Sequence, residues 1–408
     1  MSDISGYSAS LLADHLGLPK GQLRPEDISD EFIASVRSSL IDPPQGGFDS
    51  PVLDAAIQTF ARQLERVELE RDGFSVRKAK WPGGSKFAIC LTHDVDNVSR
   101  PRSHILKVRK RFGGWEVVGA LLGLTSLYNN MGAIAKQEEA RGFRSSFYLM
   151  SAEYPLRRQK LLVNSLMARG HEVGLHGDFG THDSLERMKE AVSRFQGELG
   201  FKPIGVREHY LKFDWKKTWG VVEGAGFDYD TTVGMAEKVG FKVGLASPFY
   251  PPSEDYVPMR LLELPLTLMD TTLWGYLKEG EEQGFNHVLE MMGKVEDVGG
   301  LFTLLWHQEA VKMRGGRIYW RLLDEFKKKG CFVGSGLEVA IWWRARGVPL
   351  LRSGSLITLG GPPPKGLVLV VKARDGLKVT SSSASVARSG SDYLVSPTDS
   401  SFRMEVSR

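Results

Sequence analysis

Residues 87–96 read Phe-Ala-Ile-Cys-Leu-Thr-His-Asp-Val-Asp, an apolar run that ends in two carboxylates. Such a run is typical of a buried β-strand, and residues two apart on a strand point to the same side. Asp94 and Asp96 are therefore expected to face one space at the end of the strand, with His93 on the opposite face. Taken alone, the pair has a plainer interpretation, in which one Asp caps the next turn and the other is solvated.

Three other strand candidates end in, or are followed by, side chains that are common in active sites. They are residues 172–176, with His176 at the end and His182 in the next loop, Gly205–Glu208, which contains Arg207, and residues 301–306, followed by His307. Asp96, His176 and His182 would supply the carboxylate and two imidazoles of a hydrolytic zinc site. A single histidine at a strand end is more often a structural hydrogen-bonding group, so only the pair favours a metal.

Arg207 and His307 complete the candidate set. The planar fork of an arginine suits a carboxylate, and Asp94 is the candidate partner, with a surface pair to Glu208 as the alternative. Histidine ordinarily titrates near neutrality, so His307 suits a general acid that protonates a leaving amine, with a core histidine as the alternative. Because separate strand candidates end in these groups one after another, their order predicts one shared site at the strand ends.

The wider pattern alternates short apolar runs with amphipathic stretches such as residues 183–199, in which apolar residues recur at helical spacing. The strand candidates are residues 87–91, 146–150, 172–176, 205–208, 261–268, 301–306 and 331–334. Alternation of this kind predicts an α/β fold with a parallel sheet and helices outside it. At this length a closed or nearly closed barrel is the natural form.

The chain divides into three parts. Residues 1–84 are expected to form an N-terminal helical extension, residues 85–347 the barrel, and residues 348–408 a linker with a small antiparallel β unit, in which residues 374–376 predict a hairpin turn. The tail holds only two aromatic residues, so sugar binding there has little support. Residues 97–140 form a basic insertion, interpreted as a solvated helical segment or, alternatively, as a wall of the substrate cleft that meets acidic glycans.

Composition excludes several classes of protein. Of the 408 residues, 42% are hydrophobic and 25% charged, which is typical of a globular protein. A formal charge of +4 with no basic run interleaved with aromatics gives no reason to expect nucleic acid as a partner. Two cysteines cannot build a disulfide framework, the start of the chain does not resemble a signal peptide, and no transmembrane segment is expected, so a cytoplasmic location is predicted.

The ordered motifs resemble those of the NodB-homology polysaccharide deacetylases, carbohydrate esterase family four, in a variant with an Asp-x-Asp first motif. The resemblance covers about residues 85–345 and rests on residues 92–96, 142–149, 170–176, 207 and 305–307. It implies a distorted (β/α)7-8 barrel. It also implies that Asp94 is the catalytic base, held by Arg207, that Asp96 and His176 bind the metal, and that His307 is the acid.

The sequence departs from the family pattern in two places. The second metal histidine usually comes four residues after the first, where Gly180 stands here, and the candidate His182 comes six after. Arg207 is followed by Glu-His-Tyr at residues 208–210 in place of the usual Pro-Tyr. Four side chains are the candidates for substrate binding: Tyr210, Asp230, Asp270 and Trp306, of which Asp270 is the match to the family's fourth motif.

These features together predict a metal-dependent carbohydrate N-deacetylase. The cofactor is a divalent metal, most simply zinc, and the partner is an N-acetylated glycan or glycoconjugate. Two alternatives stay open: a hydrolase of another linear or cyclic amide on the same barrel, and a catalytically inactive sugar-binding barrel.

Overall fold

The computed structural model describes residues 4–19 and 21–407. Residues 1–3, which open the segment judged unlike a signal peptide, lie outside the described residues. The described α-helices, α1 to α12 in chain order, are Ile4–Leu16, Asp30–Val36, Val52–Asp72, Arg102–Val108, Gly114–Leu121, Met131–Glu139, Lys160–Ala168, Leu185–Leu199, Thr218–Gly224, Glu281–Asp297, Ile318–Lys329 and Gly336–Ala345. Among these helices, none combines the length and the hydropathy that a bilayer span requires.

The described strands outnumber the helices. In chain order, β1 to β17 are Phe74–Lys78, Ala88–Val95, Ser146–Met150, Glu172–Gly177, Gly205–Glu208, Tyr229–Asp230, Leu262–Glu263, Leu268–Met269, Leu301–Leu305, Phe332–Gly334, Leu350–Ser353, Leu356–Leu359, Leu369–Ala373, Lys378–Ser381, Ala384–Ser389, Asp392–Pro397 and Arg403–Ser407.

Nine strands form the central sheet, in the order β7-β6-β5-β4-β3-β2-β9-β8, and β10 also pairs with β2. Every pairing in this sheet is parallel. All eight residues of β2 are buried, as expected for a parallel sheet covered on both faces. The expected distorted α/β barrel is therefore confirmed, as a curled sheet whose edges are β7 and β8.

The predicted strand at residues 261–268 is wrong as a single element. It forms β7 and β8, which lie at opposite edges of the sheet. Between them the backbone changes partners, since the N–H of Leu264 donates to β6 and the N–H of Thr267 donates to β9 (2.8 and 3.1 Å). Pro265 lies at the change and has no N–H for a ladder bond. The segment thereby connects the two edges of the curled sheet.

Two antiparallel sheets are separate from the central one, β1-β13-β16-β15 and β11-β12-β17-β14. β1 pairs with β13, so the N-terminal extension contributes a strand to the C-terminal β unit, a long-range pairing that the sequence did not predict. The turn expected at residues 374–376 is present, with the N–H of Leu377 donating to the carbonyl of Arg374 (3.1 Å). Its flanking strands, β13 and β14, belong to different sheets, so the predicted hairpin is wrong.

The outward face of β2 is anchored by a buried polar network around His93. His93 Nδ1 donates to the carbonyl of Trp306 (2.7 Å), and its Nε2 lies 2.9 Å from Glu138 Oε1. Ser145 Oγ and the Tyr319 hydroxyl also donate to Glu138. Although burial raises the pKa of Glu138, His93 and these hydroxyls hold it below its usual range. His93 thus points away from the two aspartates, and helix α6 is tied to the strand that carries them.

Removing the Glu138 carboxylate should destabilise the fold. Glu138→Ala leaves His93, Ser145 and Tyr319 without their buried partner, so the free energy of unfolding should fall by about 3–5 kcal/mol. Urea denaturation of the two proteins measures the difference. Lys136→Ala, on the exposed face of the same helix, is the control and should change stability by no more than about 0.5 kcal/mol. Equal effects of the two substitutions would contradict the assigned role of the network.

Candidate active site

Three potential metal ligands converge at the carboxyl end of the central sheet: Asp96, His176 and His209. Asp96 Oδ1 lies 3.3 Å from His176 Nε2 and 3.9 Å from His209 Nε2. Ligand atoms about 3.4 Å apart are what a tetrahedral zinc ion with bonds of about 2.1 Å requires. The three side chains come from three different segments of the chain, so the site exists only in the folded sheet.

The hydrogen bonding around the three residues fits a metal. His176 Nδ1 donates to the carbonyl of Arg207 (2.8 Å), which directs Nε2 toward Asp96. Burial and the nearby His176 lower the pKa of His209 to about 4, so His209 is neutral and free to bind at pH 7. Although burial raises the pKa of Asp96, His176 and His307 hold it below its usual range, and the carboxylate is ionised.

The placement of His182 differs from the prediction, because the structure does not bring it into this group. Its Nδ1 lies 4.0 Å from the carboxylate of Asp183, in the turn after β4. Gly180, at the position where the family pattern has a histidine, has φ +82°, and a Cβ there would meet Arg187 Nη1 at 2.3 Å. Among the described residues, His209 rather than His182 converges with Asp96 and His176.

His209 carried a signal in the sequence that our prediction did not use. It lies two residues after Arg207, and residues two apart at a strand end point to the same side. β4 and β5 are parallel neighbours in which His176 is level with Arg207, so His209 comes next to His176. Tyr210, whose ring stacks on His209 at 3.9 Å, has φ 59°, a left-handed conformation that turns the chain sharply after His209.

Asp94 lies beside this group and is held by a buried arginine. Arg207 Nη1 is 3.1 Å from Asp94 Oδ1, while Asp94 Oδ2 is 3.6 Å from His176 Nε2. Arg207 also donates to Thr92 Oγ1 (2.7 Å) and to Thr231, and it is fully buried. Its partner is thus Asp94, and the alternative pair with Glu208 does not form. One carboxylate oxygen of Asp94 is fixed by Arg207, and the other faces the candidate metal ligands.

His307 is held by Asp270 in a second charged pair. His307 Nδ1 donates to Asp270 Oδ1 (2.6 Å), and the backbone N–H of His307 donates to Oδ2 (3.0 Å). Burial lowers the pKa of His307, but the Asp270 carboxylate more than offsets this and raises it well above its usual range. His307 is therefore protonated at neutral pH, and its Nε2 remains available. Asp270, predicted to bind substrate, acts here on the orientation and charge of His307.

These groups line one cavity of about 640 Å³. Of the predicted residues, it is lined by Asp94, Asp96, His176, Tyr210, Asp270 and His307. Asp230 and Trp306, both predicted to bind substrate, are fully buried outside it. Asp230 accepts from Thr232 Oγ1 (2.5 Å), and the ring of Trp306 stacks on Tyr319 at 5.2 Å. Trp274, which packs edge-on against Trp306, lines the cavity instead.

The two candidate third ligands can be separated by metal affinity. His209→Ala removes a ligand atom next to Asp96 and should weaken zinc binding by at least about 100-fold, more than loss of an outer-shell partner does. His182→Ala should leave the affinity within about two-fold of the wild-type value, which makes it the matched control. Competition with a chromophoric chelator measures both. Weaker binding in His182→Ala than in His209→Ala would contradict the ligand set.

No family model matches the sequence, and no curated protein matches it. Among the solved structures similar to it, a protein from Mycobacterium smegmatis described as a polysaccharide deacetylase is 18% identical, with 67% of this chain and 96% of that chain covered and a TM-score of 0.49. The Puue allantoinase is 19% identical, with 66% and 93% covered and a TM-score of 0.48. A protein from Pseudomonas aeruginosa PAO1, also described as a polysaccharide deacetylase, is 17% identical, with 65% and 94% covered and a TM-score of 0.47. These similarities concern the fold, and the parallel central sheet agrees with the distorted barrel that the sequence motifs implied.

Proposed function

We propose that the chain hydrolyses the N-acetyl group of an N-acetylated sugar, with a divalent metal, most simply zinc, held by Asp96, His176 and His209. One observation carries the proposal. A carboxylate fixed by an arginine and an imidazole fixed by a carboxylate line the same cavity as the three candidate ligands. Hydrolysis of an amide needs both groups, since water must lose a proton and the leaving amine must gain one.

The metal fits its residues and supplies one kind of chemistry. When bound, a divalent ion in this position polarises the acetamide carbonyl and lowers the pKa of water at the site. The protein provides the geometry for it, because the carbonyl of Arg207 orients His176 and the turn at Tyr210 brings in His209.

The proton transfers are assigned to the two fixed pairs. Asp94 accepts a proton from the attacking water as the water oxygen adds to the acetamide carbon, and Arg207 holds the carboxylate in place. His307 then donates its Nε2 proton to the amide nitrogen as the C–N bond breaks, while Asp270 holds its Nδ1. Acetate and the free amino sugar leave. Water and amide are consumed in equal amounts, and no redox step is needed.

The mouth of the cavity suits a sugar. Tyr210 and Tyr276 are 67% and 50% exposed there, and Trp274, which is partly buried against the core, lines the same cavity. Aromatic rings offer flat apolar faces with a polar edge, which match the apolar face and hydroxyl rim of a pyranose. The motif resemblance to polysaccharide deacetylases points to the same class of substrate. We propose that these aromatics, in place of Asp230 and Trp306, bind the sugar rings.

Acetate release tests the proposal directly. The zinc-loaded protein should release acetate from N-acetylglucosamine oligomers, and EDTA should abolish the release. Asp94→Asn should lower kcat by about 10²–10⁴-fold without loss of zinc, because the base is lost and the ligands remain. Asp183→Asn, an exposed carboxylate next to His182, is the control and should keep the wild-type kcat. Acetate release that survives both EDTA and Asp94→Asn would refute the mechanism.

The pH profile tests the role of Asp270. A raised pKa of His307 means that the acid form is present at neutral pH and is lost only at higher pH, which sets the basic limb of kcat/KM. Asp270→Asn removes the negative charge that raises this pKa, so the basic limb should move to lower pH, and kcat should fall by at least about 10-fold. Asp228→Asn, an exposed carboxylate, should leave the limb in place. A limb that stays fixed in Asp270→Asn would show that His307 is not the acid.

A further inference from the structure

The basic insertion after β2 has an apolar surface as well as a charged one. Five large apolar side chains of its helices and following turn are exposed to solvent: Leu106 47%, Trp115 87%, Val118 47%, Leu122 67% and Leu124 77%. A different set of residues, including Ile105, Phe112 and Tyr128, forms the small core of this segment. The exposed set is therefore not needed to hold the insertion together, and a solvated helix gains nothing from it.

The charge of the same segment is concentrated and unpaired. Residues 97–125 contain six lysines and arginines and one acid, a net charge of +5, whereas the whole chain carries +4, so the rest of the molecule is slightly acidic. The one acid, Glu116, pairs with Arg317. None of the six cations pairs with a carboxylate in the described part of the chain. They are Arg100, Arg102, Lys107, Arg109, Lys110 and Arg111, and all are exposed.

The insertion is joined to the rim of the cavity. Arg111 lines the cavity together with Met313 and Arg314. The N–H of Arg314 donates to the carbonyl of Arg111 (2.9 Å), and Phe112 pairs with Met313 in an antiparallel bridge. A surface that docks through the insertion therefore lies next to the entrance of the candidate active site.

We propose that residues 100–124 form a docking surface for an anionic lipid bilayer. Short amphipathic helices with exposed tryptophan and leucine and a surround of lysine and arginine bind in the interfacial region, where the apolar side chains enter the acyl boundary and the cations meet anionic headgroups. A soluble glycan would neutralise the charge but leave the five apolar side chains in water. An anionic bilayer would both neutralise the charge and remove the five apolar side chains from water. The cytoplasmic leaflet is the anionic one, in agreement with the location expected for the chain.

The consequence for the substrate rests on the proposed function. With the cavity mouth beside the bilayer, the N-acetyl sugar that reaches His307 and Asp94 is one carried on a lipid anchor, with its sugar at the headgroup level. The insertion then selects substrate by location, and the cavity selects it by chemistry.

Vesicle sedimentation of the full chain, with no substrate present, tests the docking surface. The wild-type protein should sediment with vesicles of equal parts phosphatidylglycerol and phosphatidylcholine and much less with phosphatidylcholine alone, and raising the salt should weaken binding. The variant Arg109→Ser/Lys110→Ser should bind the anionic vesicles roughly 25-fold more weakly, at about five-fold for each charge near the surface. Trp115→Ser/Leu122→Ser/Leu124→Ser should bind at least about 10-fold more weakly to the same vesicles.

Matched variants elsewhere control for general loss of surface charge and apolarity. Ile341→Ser, at an apolar side chain 58% exposed on α12, and Arg374→Ser/Lys378→Ser, at exposed cations of the C-terminal β unit, should bind like the wild type. Thermal unfolding confirms that each variant is folded. Wild-type protein that stays in the supernatant with both vesicle types overturns the proposal, as does equal binding by all variants. A dimer that the triple variant dissociates, without vesicle binding, would also overturn it and assign the surface to a second copy.

Acetate release separates this inference from the proposed function. On N-acetylglucosamine linked to a lipid in the anionic vesicles, the triple variant should lose most of its rate, and on the soluble oligomer it should keep it. If the triple variant keeps the wild-type rate on both substrates, the lipid-anchored substrate is refuted and the proposed deacetylase activity is not affected. No acetate from either substrate with the wild type would refute the deacetylase, while the sedimentation result would stand.

Discussion

The buried guanidinium of Arg207 is the constraint on which the rest of the barrel mouth depends. A cation inside a parallel sheet costs several kcal/mol unless its donors are satisfied. Arg207 meets this requirement by donating to Asp94 and Thr92 on β2 and to Thr231 after β6. Its Cζ also lies 5.0 Å from the ring centroid of Tyr148 on β3. Four strands are thereby held in one arrangement, and the carboxylate that faces the candidate ligands cannot rotate away.

The site is organised as two pairs of opposite charge and one group of candidate metal ligands around one cavity. Asp94 pairs with Arg207 and Asp270 pairs with His307, while Asp96 lies beside the imidazoles of His176 and His209. Burial alone would favour the uncharged form of His307, and the Asp270 carboxylate restores the charge that protonation of the leaving amine needs. Asp270, which the sequence predicted to bind substrate, instead contacts Nδ1 of His307, where it orients the imidazole and raises its pKa. The docking surface adds a second layer, because it sets which substrates can approach these pairs.

Much of the barrel could be predicted from local pattern, and the exceptions have a common cause. The strands at 146–150 and 205–208 were located to the residue, the first because a buried parallel strand reads as a nearly continuous apolar run. Residues 261–268 are also mostly apolar but form two edge strands. Pro265 lies where the backbone changes its pairing from β6 to β9. The turn at 374–376 is likewise present, but the strands on either side of it do not pair with each other. β13 pairs instead with β1, which lies about three hundred residues earlier in the chain.

By itself, the sequence determined that Asp94 and Asp96 share a face, that His93 lies opposite, and that histidines and an arginine end the neighbouring strands, because period two on a strand is a local property. Only the tertiary structure decided which histidine joins Asp96. The choice between His182 and His209 depends on the path of two loops and on the level at which β4 lies against β5. Neither is encoded within a few residues of either histidine. The burial of Asp230 and Trp306 was decided in the same way, by what packs over them.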